Sequence, residues 1–509
     1  MFLKIHLALQ VLRALWRVGL LSLRPSVLLA FVRAWWRCGN SYACLAEFAA
    51  RRFPNRTAVV DEQGMLTFAE LFAHAESYAS DLLKRHALRP GQRVALLCRN
   101  HRDMVVALVA LSRLGLDVLP LGTESPHSAL QRILAGQVPQ LVLHDAEFTA
   151  ILAGCSSPCQ AIEIVPAKQP PRLPRVKRAG RILVLTSGST GAAKSIARRP
   201  TMGGLLPVLA GLLRALPLRL HAPAVCAIPL YHGYGLAVMA LALTLGAPLY
   251  LARRCDIAPL LARLPEDLPP AVLISIPTLL ERWLGILDPS AIPRLAAIIS
   301  GSAPLVARLC QRLLDQLGPC LFNVYGSTEA GIIALATPDV LRCAPGTVGQ
   351  PLLGNRVRIA PGSGEIQVQG PLVLAAPSDG WYATGDLGRF DEQGRLFVCG
   401  RSDAMLISGG ENVYPYETES VLLEHPDLVD AAVVVVDDPE FGQALRAWVV
   451  PKPGVTLDEN ALRMWLRERL ERFKLPRQFV LATSIPRNAL GKVNQDGLRA
   501  LQVRLLSEG

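Results

Sequence analysis

The chain has 509 residues, of which 51% are hydrophobic and 18% are charged, and its formal net charge is +12. This length gives room for roughly two to four domains, and the composition excludes an intrinsically disordered protein. Its cysteines are scattered without metal-ligand spacing, which favours reduced buried thiols over a zinc site. The basic charge is not accompanied by a nucleic-acid-binding motif, so DNA and RNA are not expected partners.

Residues 1–40 form an apolar, basic opening segment. The first acidic residue is Glu47, and the basic residues before it are Lys4, Arg13, Arg17, Arg24, Arg33 and Arg37. Because a basic residue interrupts the apolar run every few positions, residues 1–37 are not expected to span a bilayer. Two interpretations stay open: helices lying in the membrane interface, or helices packed on the protein's own body. We therefore expect a cytoplasmic protein, with or without peripheral contact at the inner face of the membrane.

From Ser41 onward, predicted helices and strands alternate, which indicates an α/β protein with parallel sheets covered by helices. Thr67 followed by Glu70 predicts a capping box at a helix start. Further helices are predicted at 42–53, 104–114, 130–134, 205–216 and 237–245. Strands are predicted at 58–60, 94–98, 118–121, 141–144, 182–185, 224–229, 248–252, 297–300 and 321–324.

A loop of small hydroxyl residues and glycines follows the strand at 182–185 and ends in a lysine. Its residues are Thr186, Ser187, Gly188, Ser189, Thr190, Gly191, Ala192, Ala193 and Lys194. Glycines let backbone N–H groups point into one concavity, and lysine adds the positive charge that phosphate needs. A Walker A loop would have glycine in place of Ala193 and would open a helix. Taken alone, an ordinary surface turn is the alternative.

Three further strand ends carry small or polar residues. His232 follows the strand at 224–229, although a lone histidine is more often a satisfied turn residue. The next two ends carry Gly301, Ser302, Ala303 and Pro304, and then Tyr325, Gly326, Ser327, Thr328 and Glu329. Since open α/β sheets bind ligands at the carboxyl ends of strands, these junctions predict one shared crevice.

The last third of the chain predicts a smaller domain. A hairpin at 392–394 joins two strands, and a boundary near Arg401–Asp403 separates a large domain, 41–401, from a small one, 402–509. Strands are predicted at 405–408, 431–436, 444–450 and 479–482, and helices at 416–424 and 457–472. A loop punctuated by proline and glycine then presents Lys492, which by itself would be a solvated turn charge.

Together these segments resemble the acyl-adenylate-forming superfamily, which includes acyl-CoA synthetases, peptide-synthetase adenylation domains and luciferases. The resemblance runs from residue 41 to the end, through segments 186–194, 231–236, 301–304, 325–329, 384–386, 400–403 and 491–492 in the family's order. It is closest to bacterial fatty-acyl-CoA synthetases at 407–415. The chain departs from the family pattern at 373–377, where the usual Gly-Tyr pair is missing.

The resemblance implies the fold and the reaction. The fold would be a large N-terminal domain of stacked α/β sheets and a smaller, mobile α+β C-terminal domain. The reaction would convert a medium- or long-chain fatty acid and ATP to acyl-AMP, and then transfer the acyl group to the thiol of CoA. Activation is needed because a carboxylate would have to expel oxide, whereas AMP is a good leaving group.

The resemblance also assigns residues to roles. Lys492, His232, Thr328 and Glu329 would be catalytic, and Glu329 would also bind Mg²⁺. Residues 186–194 would hold the phosphates, 301–304 with Tyr325 and Gly326 the adenine, and Asp386 with Arg401 the ribose. Ser408, Gly409 and Gly410 would line the thiol tunnel, and Asp403 would be the hinge.

Two alternatives remain at this point. The thiol could belong to the phosphopantetheine arm of an acyl carrier protein instead of CoA. A non-catalytic, membrane-bound binding protein would be expected to have lost its charged site residues. The chain keeps all of those residues, which are Lys194, Glu329, Asp386, Arg401 and Lys492.

Overall fold

The computed structural model describes most of the chain. The described residues are 2–20, 24–164, 173–186, 194–198, 202–255, 257–266, 269–286, 294–374, 379–404, 406–408, 411–438, 442–488, 491–494, 497–498 and 500–501. They form two compact units, of which the first contains residues 1–275 and 285–299, and the second contains residues 276–284 and 300–509.

The first unit alternates helices with strands, as the sequence predicts. Its helices are α1 (Phe2–Arg17), α2 (Pro25–Cys38), α3 (Tyr42–Arg52), α4 (Phe68–His86), α5 (Arg102–Arg113), α6 (His127–Gln137), α7 (Met202–Ala215), α8 (Gly233–Leu245) and α9 (Ile257–Ala262). Its strands are β1 (Thr57–Asp61), β2 (Gly64–Thr67), β3 (Arg93–Leu97), β4 (Asp117–Pro120), β5 (Leu141–His144), β6 (Cys159–Ala161), β7 (Ile182–Thr186), β8 (Lys194–Arg198), β9 (Ala224–Cys226), β10 (Leu249–Leu251), β11 (Ala271–Ser275) and most of β12 (Leu295–Gly301).

Two sheets organise this unit. One has the strand order β6-β5-β3-β4-β7-β8 and is parallel except for the β7–β8 hairpin. In the other, β10, β9 and β11 run parallel beside β1, and β2 pairs antiparallel with β1. The central strands β4 and β5 are buried at every residue, because helices cover parallel sheets on both faces. The predicted capping box at Thr67 and Glu70 is confirmed.

The opening segment folds as two helices that each bury one side. α1 contacts α7 and α2 contacts α3. Buried side chains include Val11 and Ala14 on α1, Val18 directly after it, and Ala34 and Cys38 on α2. Packing on the body is therefore confirmed for one face of each helix. Within the described part of the chain, no helix combines the length and apolar character that crossing a bilayer requires.

Buried ion pairs fasten α2 to the rest of the unit. Arg37 donates to Glu47 at 2.6 Å and to Glu76 at 3.1 Å, and the two carboxylates are almost fully buried. Arg51 also pairs with Glu47, and Arg113 with Glu76. Burial of charges is tolerated only when they are paired, so these contacts fix the position of α2.

The second unit is richer in antiparallel strands. Its helices are α10 (Pro277–Leu284), α11 (Ala307–Leu317), α12 (Pro338–Cys343), α13 (Pro415–Leu423) and α14 (Glu459–Arg467). Its strands are β13 (Leu321–Ser327), β14 (Gly331–Ala336), β15 (Gln350–Pro351), β16 (Arg356–Ile359), β17 (Glu365–Gln369), β18 (Tyr382–Phe390), β19 (Leu396–Arg401), β20 (Leu406–Ser408), β21 (Glu411–Val413), β22 (Leu428–Asp438), β23 (Gly442–Pro451) and β24 (Gln478–Leu481).

Strands β16 to β19 form an antiparallel sheet in sequence order, which includes the predicted hairpin at 392–394. Nearer the C-terminus, β22, β23 and β24 form a three-stranded sheet. Leu422 of α13 and Leu462 and Leu466 of α14 pack into its core. The predicted α/β class, with an α+β region at the C-terminus, is confirmed.

Some predicted boundaries are wrong. The strand predicted at 224–229 ends at Cys226, and α14 is shorter than the predicted helix 457–472. The helix predicted at 237–245 begins at Gly233, so His232 is its N-cap. Tyr325, Gly326 and Ser327 lie in β13 and not in a loop, because β14 pairs with them.

Candidate active site

A carboxylate on β18 is held by a tyrosine on β13. The hydroxyl of Tyr325 donates to Oδ2 of Asp386 at 2.6 Å. Burial, followed by the negative charge of Asp386, raises the pKa of Tyr325, so the phenol remains a donor at neutral pH. Two predicted nucleotide-binding residues that are separated by about sixty positions are thus brought into direct contact.

Arg401 connects Asp386 to the predicted hinge. Its guanidinium donates to Oδ1 of Asp386 at 3.3 Å and to both carboxylate oxygens of Asp403 at 3.0 Å. The hydrogen bonds from Arg401 lower the pKa of Asp403, and the same bonds raise the pKa of Arg401. The pair is therefore charged over the whole neutral range, and it ties the end of β19 to the turn that follows.

Two residues behind Asp386 fix its position, although the sequence did not assign them a role. Thr384 is buried; its hydroxyl accepts the N–H of Asp386 at 3.1 Å and donates to the Ile366 carbonyl at 2.9 Å. Glu365 accepts the N–H of Gly385 at 2.8 Å. Thr384 belongs to a motif that the sequence singled out, whereas nothing in the local sequence marks Glu365.

Glu329 lies just beyond β13, close to Tyr382. Burial raises the pKa of Tyr382 to about 12, and the charge of Glu329 adds to the effect. The Glu329 carbonyl accepts the N–H of Leu374 at 3.1 Å, so this turn contacts one residue of the segment that departs from the family pattern. Neighbouring Thr328 is half-buried in the same turn.

The carboxylate of Glu329 is an oxygen ligand of the kind that Mg²⁺, a hard cation, prefers. Among the described residues, no group of three His, Cys, Asp or Glu side chains is placed to hold a metal ion. Mg²⁺ does not need such a group, because it is commonly held by one or two carboxylates, waters and phosphate oxygens of the substrate. Glu329 would supply the carboxylate.

The predicted adenine segment follows β12, which ends at Gly301. Ser302 has a φ of +67°, a left-handed conformation that redirects the chain directly after the strand. Ser302 and Ala303 are half-buried, and Pro304 is exposed. A Cβ at Gly326 would lie 2.3 Å from the Gly331 carbonyl oxygen, so the backbone here admits only glycine.

The ends of the predicted phosphate loop lie side by side in the first unit. Thr186 at the end of β7 is the antiparallel partner of Lys194 at the start of β8. The chain thus continues as a strand, as expected for a loop that is not of the Walker type. Ser187, Gly188, Ser189, Thr190 and Gly191 lie outside the described residues.

His232 is positioned by the start of α8. It is the N-cap of that helix, and its ring lies 4.4 Å from the ring of Tyr231, centroid to centroid. The segment before His232 is fixed by buried Asn100, whose side chain accepts the Leu230 N–H at 2.8 Å and donates to the Ile228 carbonyl at 2.7 Å. Asn100 carried no signal in the sequence analysis.

Lys492 is exposed on a loop that is closed by its own hydrogen bonds. Its N–H donates to Oδ1 of Asn488 at 3.0 Å, and Arg487 donates to the Gly491 carbonyl at 3.0 Å. Gly491 has a φ of +76°, and a Cβ there would lie 2.5 Å from the Thr278 hydroxyl. Glycine is therefore required for the loop to pack on α10.

The predicted thiol-tunnel segment is only partly described. Ser408 ends β20 and pairs with Glu411 of β21. Gly409 and Gly410 lie outside the described residues.

Comparison with known proteins identifies the family of the chain. The family model described as "AMP-binding enzyme" matches residues 46–378, and the model described as "AMP-binding enzyme C-terminal domain" matches residues 417–492. A 2-succinylbenzoate–CoA ligase from Bacillus licheniformis is 30% identical, and the match covers 86% of this chain and 96% of that protein. A feruloyl-CoA synthase from an Amycolatopsis species is 31% identical, with 88% and 96% covered.

Solved structures give the same result. O-Succinylbenzoate CoA synthetase from Bacillus subtilis, in complex with its acyl-adenylate intermediate, matches with a TM-score of 0.78 at 27% identity, over 89% of this chain and 97% of that one. The family match and the relatives together define an enzyme that ligates an acid to a thiol and forms AMP. The chain belongs to the AMP-binding enzyme family.

Proposed function

We propose that the protein activates a medium- or long-chain fatty acid with ATP, forming acyl-AMP and pyrophosphate, and transfers the acyl group to the thiol of CoA. The observation that carries the nucleotide half of this proposal is the contact between Tyr325, Asp386 and Arg401. One carboxylate with two fixed donors keeps free lone pairs, which suits the adjacent hydroxyls of a ribose.

In the first step, negative charge gathers on the α-phosphoryl group and on the departing pyrophosphate, so the site must supply cations and N–H dipoles. Lys492 would bridge the acyl carboxylate and the α-phosphate. Thr328 would contact the α-phosphate, and His232 would lie between the acid and that phosphate. Residues 186–194 would hold the β- and γ-phosphates. Mg²⁺ on Glu329 would neutralise phosphate charge.

In the second step, the thiol must reach the same carbonyl from another direction. Asp403 lies two residues beyond the end of β19, where a change in a few backbone dihedrals would reorient the chain that follows. Ser408, Gly409 and Gly410 would then approach the thiol. We also propose that the boundary between the large and the small domain lies at residues 401–402.

The fatty-acid assignment is supported by the opening segment. Exposed apolar and basic side chains lie at residues 9–17 and 28–36, and they suit peripheral contact with the membrane, where long-chain acids are concentrated. The named relatives act on aromatic acids, among them 2-succinylbenzoate and ferulate, and these acids form the second candidate class.

A panel of acids tests the assignment. AMP release is measured with octanoate, palmitate, 2-succinylbenzoate, ferulate and indoleacetate, each with CoA, with a phosphopantetheinylated acyl carrier protein, or without thiol. We expect the highest kcat/KM with octanoate or palmitate and turnover that depends on CoA. A preference for an aromatic acid would refute the fatty-acid assignment. Turnover with the carrier protein but not with CoA would identify the carrier protein as the acyl acceptor.

A further inference from the structure

The outer faces of α1 and α2 carry large apolar side chains in contact with solvent. On α2, the exposed residues are Leu28, Leu29, Val32, Trp35 and Trp36, whose spacing places them on one side of the helix. Leu9, Leu12 and Trp16 are exposed on α1 in the same way. Trp16 is 65% exposed and Leu29 is 68% exposed, so these side chains are not part of the protein core.

Arginines are interleaved with these apolar residues. Arg13 and Arg17 on α1 and Arg33 on α2 are exposed, and no acidic residue occurs in the first 46 positions. A helix surface with leucine, tryptophan and arginine but no carboxylates is suited to the headgroup region of a membrane that contains anionic lipid. We propose that this surface, defined as the exposed faces of α1 and α2, docks the enzyme on a bilayer containing anionic phospholipid.

The geometry requires that the helices lie along the membrane surface. α1 has 16 residues and α2 has 14, which is shorter than the roughly 20 residues needed to cross the hydrocarbon core. The other face of each helix is already packed on the protein. Only the outer faces are therefore free to enter lipid.

Charge disfavours a second copy of the chain as the occupant. A symmetric contact would bring the same surface of two molecules together, and arginines would then face arginines without a carboxylate from either surface. An anionic bilayer has the opposite charge. The match to the family begins at residue 46, so this surface lies outside the part that the family shares.

The proposal rests on the peripheral contact in the proposed function and adds its lipid class and its residues. The test uses the full chain in sedimentation with phosphatidylcholine vesicles, with or without phosphatidylglycerol, at low and high salt. We expect the wild type to bind vesicles with phosphatidylglycerol more tightly, by about tenfold or more, and to lose this preference at high salt.

Two double variants separate the apolar and the charged contributions. Leu28→Ser with Leu29→Ser should weaken binding to both vesicle types by about tenfold or more. Arg13→Gln with Arg33→Gln should abolish the preference for phosphatidylglycerol. The matched control, Met65→Ser with Ile286→Ser, replaces two equally exposed apolar residues elsewhere and should bind as the wild type does.

Three outcomes would overturn the proposal: no binding by the wild type, equal binding by the Leu28/Leu29 variant, or binding indifferent to lipid charge. A dimer on size exclusion that this variant dissociates would assign the surface to a second copy. AMP release from octanoate in detergent-free buffer should be unchanged in each variant. If no acid on the panel supports turnover while vesicle binding persists, the proposed function is refuted and the proposal of a membrane-docking surface is retained.

Discussion

At the scale of single residues, Asp386 offers a clear test because its two donors differ in chemistry. Asp386→Asn keeps the shape of the side chain but removes the charge that Arg401 and the ribose hydroxyls would share. We expect the KM for ATP to rise roughly 10- to 100-fold, the equivalent of a lost charge-assisted hydrogen bond. ATP–pyrophosphate exchange at varied ATP concentration measures the effect.

A matched control lies on the same hairpin. Asp391 pairs with Arg395 at 2.6 Å, just beyond β18 and away from Tyr325. Asp391→Asn should leave the KM for ATP unchanged. Equal increases in both variants would indicate damage to the sheet and would count against a ribose site at Asp386.

Lys492 is the residue whose role separates the two half-reactions. Lys492→Ala should reduce acid-dependent pyrophosphate exchange by about 10²–10³-fold, because a cation that is needed as charge develops is lost. Transfer from preformed acyl-AMP to CoA should largely persist. Equal losses in both assays would refute the assignment.

The sequence analysis named the candidate site residues but not the residues that support them. Tyr325, Asp386 and Arg401 stand in short sequence motifs, and such motifs can be recognised without knowledge of the fold. Glu365 and Asn100 reach their targets through pairing between distant segments, and no local pattern records such pairing. The residues that position a site therefore come from its fold.

At the scale of elements, the lysine loop depends on Arg487. This guanidinium donates two hydrogen bonds to Asp430 on β22, one to the Ala431 carbonyl and one to the Gly491 carbonyl. Arg487→Gln should slow the first half-reaction about tenfold, while the thiol step from preformed acyl-AMP is retained. The free energy of unfolding should fall by about 1–3 kcal/mol, because Asp430 loses its charged partner and keeps only the Ala431 N–H.

The control is Arg477→Gln, since Arg477 also pairs with a β22 carboxylate, Asp438. It should leave both half-reactions unchanged. A loss of both half-reactions in Arg487→Gln would point to general disruption of the domain, and would contradict a specific effect on the loop.

The turn after β19 gives a second test. Asp403→Pro fixes one backbone dihedral and removes the ion pair with Arg401, whereas Asp403→Ala removes only the ion pair. If the turn is a hinge, the proline variant should slow thioester formation much more than adenylation. The alanine variant should affect the two steps similarly. Equal behaviour of both variants in the thiol step would rule out a hinge at this position.

Element boundaries were predicted best where apolar runs end in strong turn signals. Leu141–His144 is such a case, and its strand was predicted without error. The predicted strand 321–324 ends too early because Tyr325, Gly326 and Ser327 have the composition of a loop. In the structure their pairing with β14 keeps them in β13. The predicted helix 237–245 begins four residues too late because glycine has low helix propensity. Tertiary packing outweighs that preference here, and α8 begins at Gly233.

At the scale of the whole molecule, a buried acid links stability to pH. Burial raises the pKa of Glu419 to about 7 from 4.5, although the Val433 N–H and Arg487 act in the opposite direction and Asp430 adds to the increase. The folded protein therefore binds a proton more tightly than the unfolded chain. This group's contribution to the free energy of unfolding should fall between about pH 4.5 and pH 7, by on the order of 3 kcal/mol.

Glu419→Gln removes the titration and keeps an acceptor for the Val433 N–H. Urea unfolding at pH 5 and pH 8 gives the free energy of unfolding of the variant minus that of the wild type. This difference should be more positive at pH 8 than at pH 5. Glu424→Gln, one turn later on the same segment, is the control. A difference from the wild type that is constant with pH would contradict the linkage.

The buried ion pairs of α2 have a consequence for where this protein can be cut. The catalytic fold recognised in its relatives begins near residue 46, yet Arg37 neutralises carboxylates that belong to α3 and α4. A fragment that starts at residue 41 would keep every candidate catalytic residue and still bury Glu47 and Glu76 with one arginine fewer. We therefore expect this fragment to be less stable than the full chain, because Arg51 and Arg113 alone would have to neutralise the two buried carboxylates.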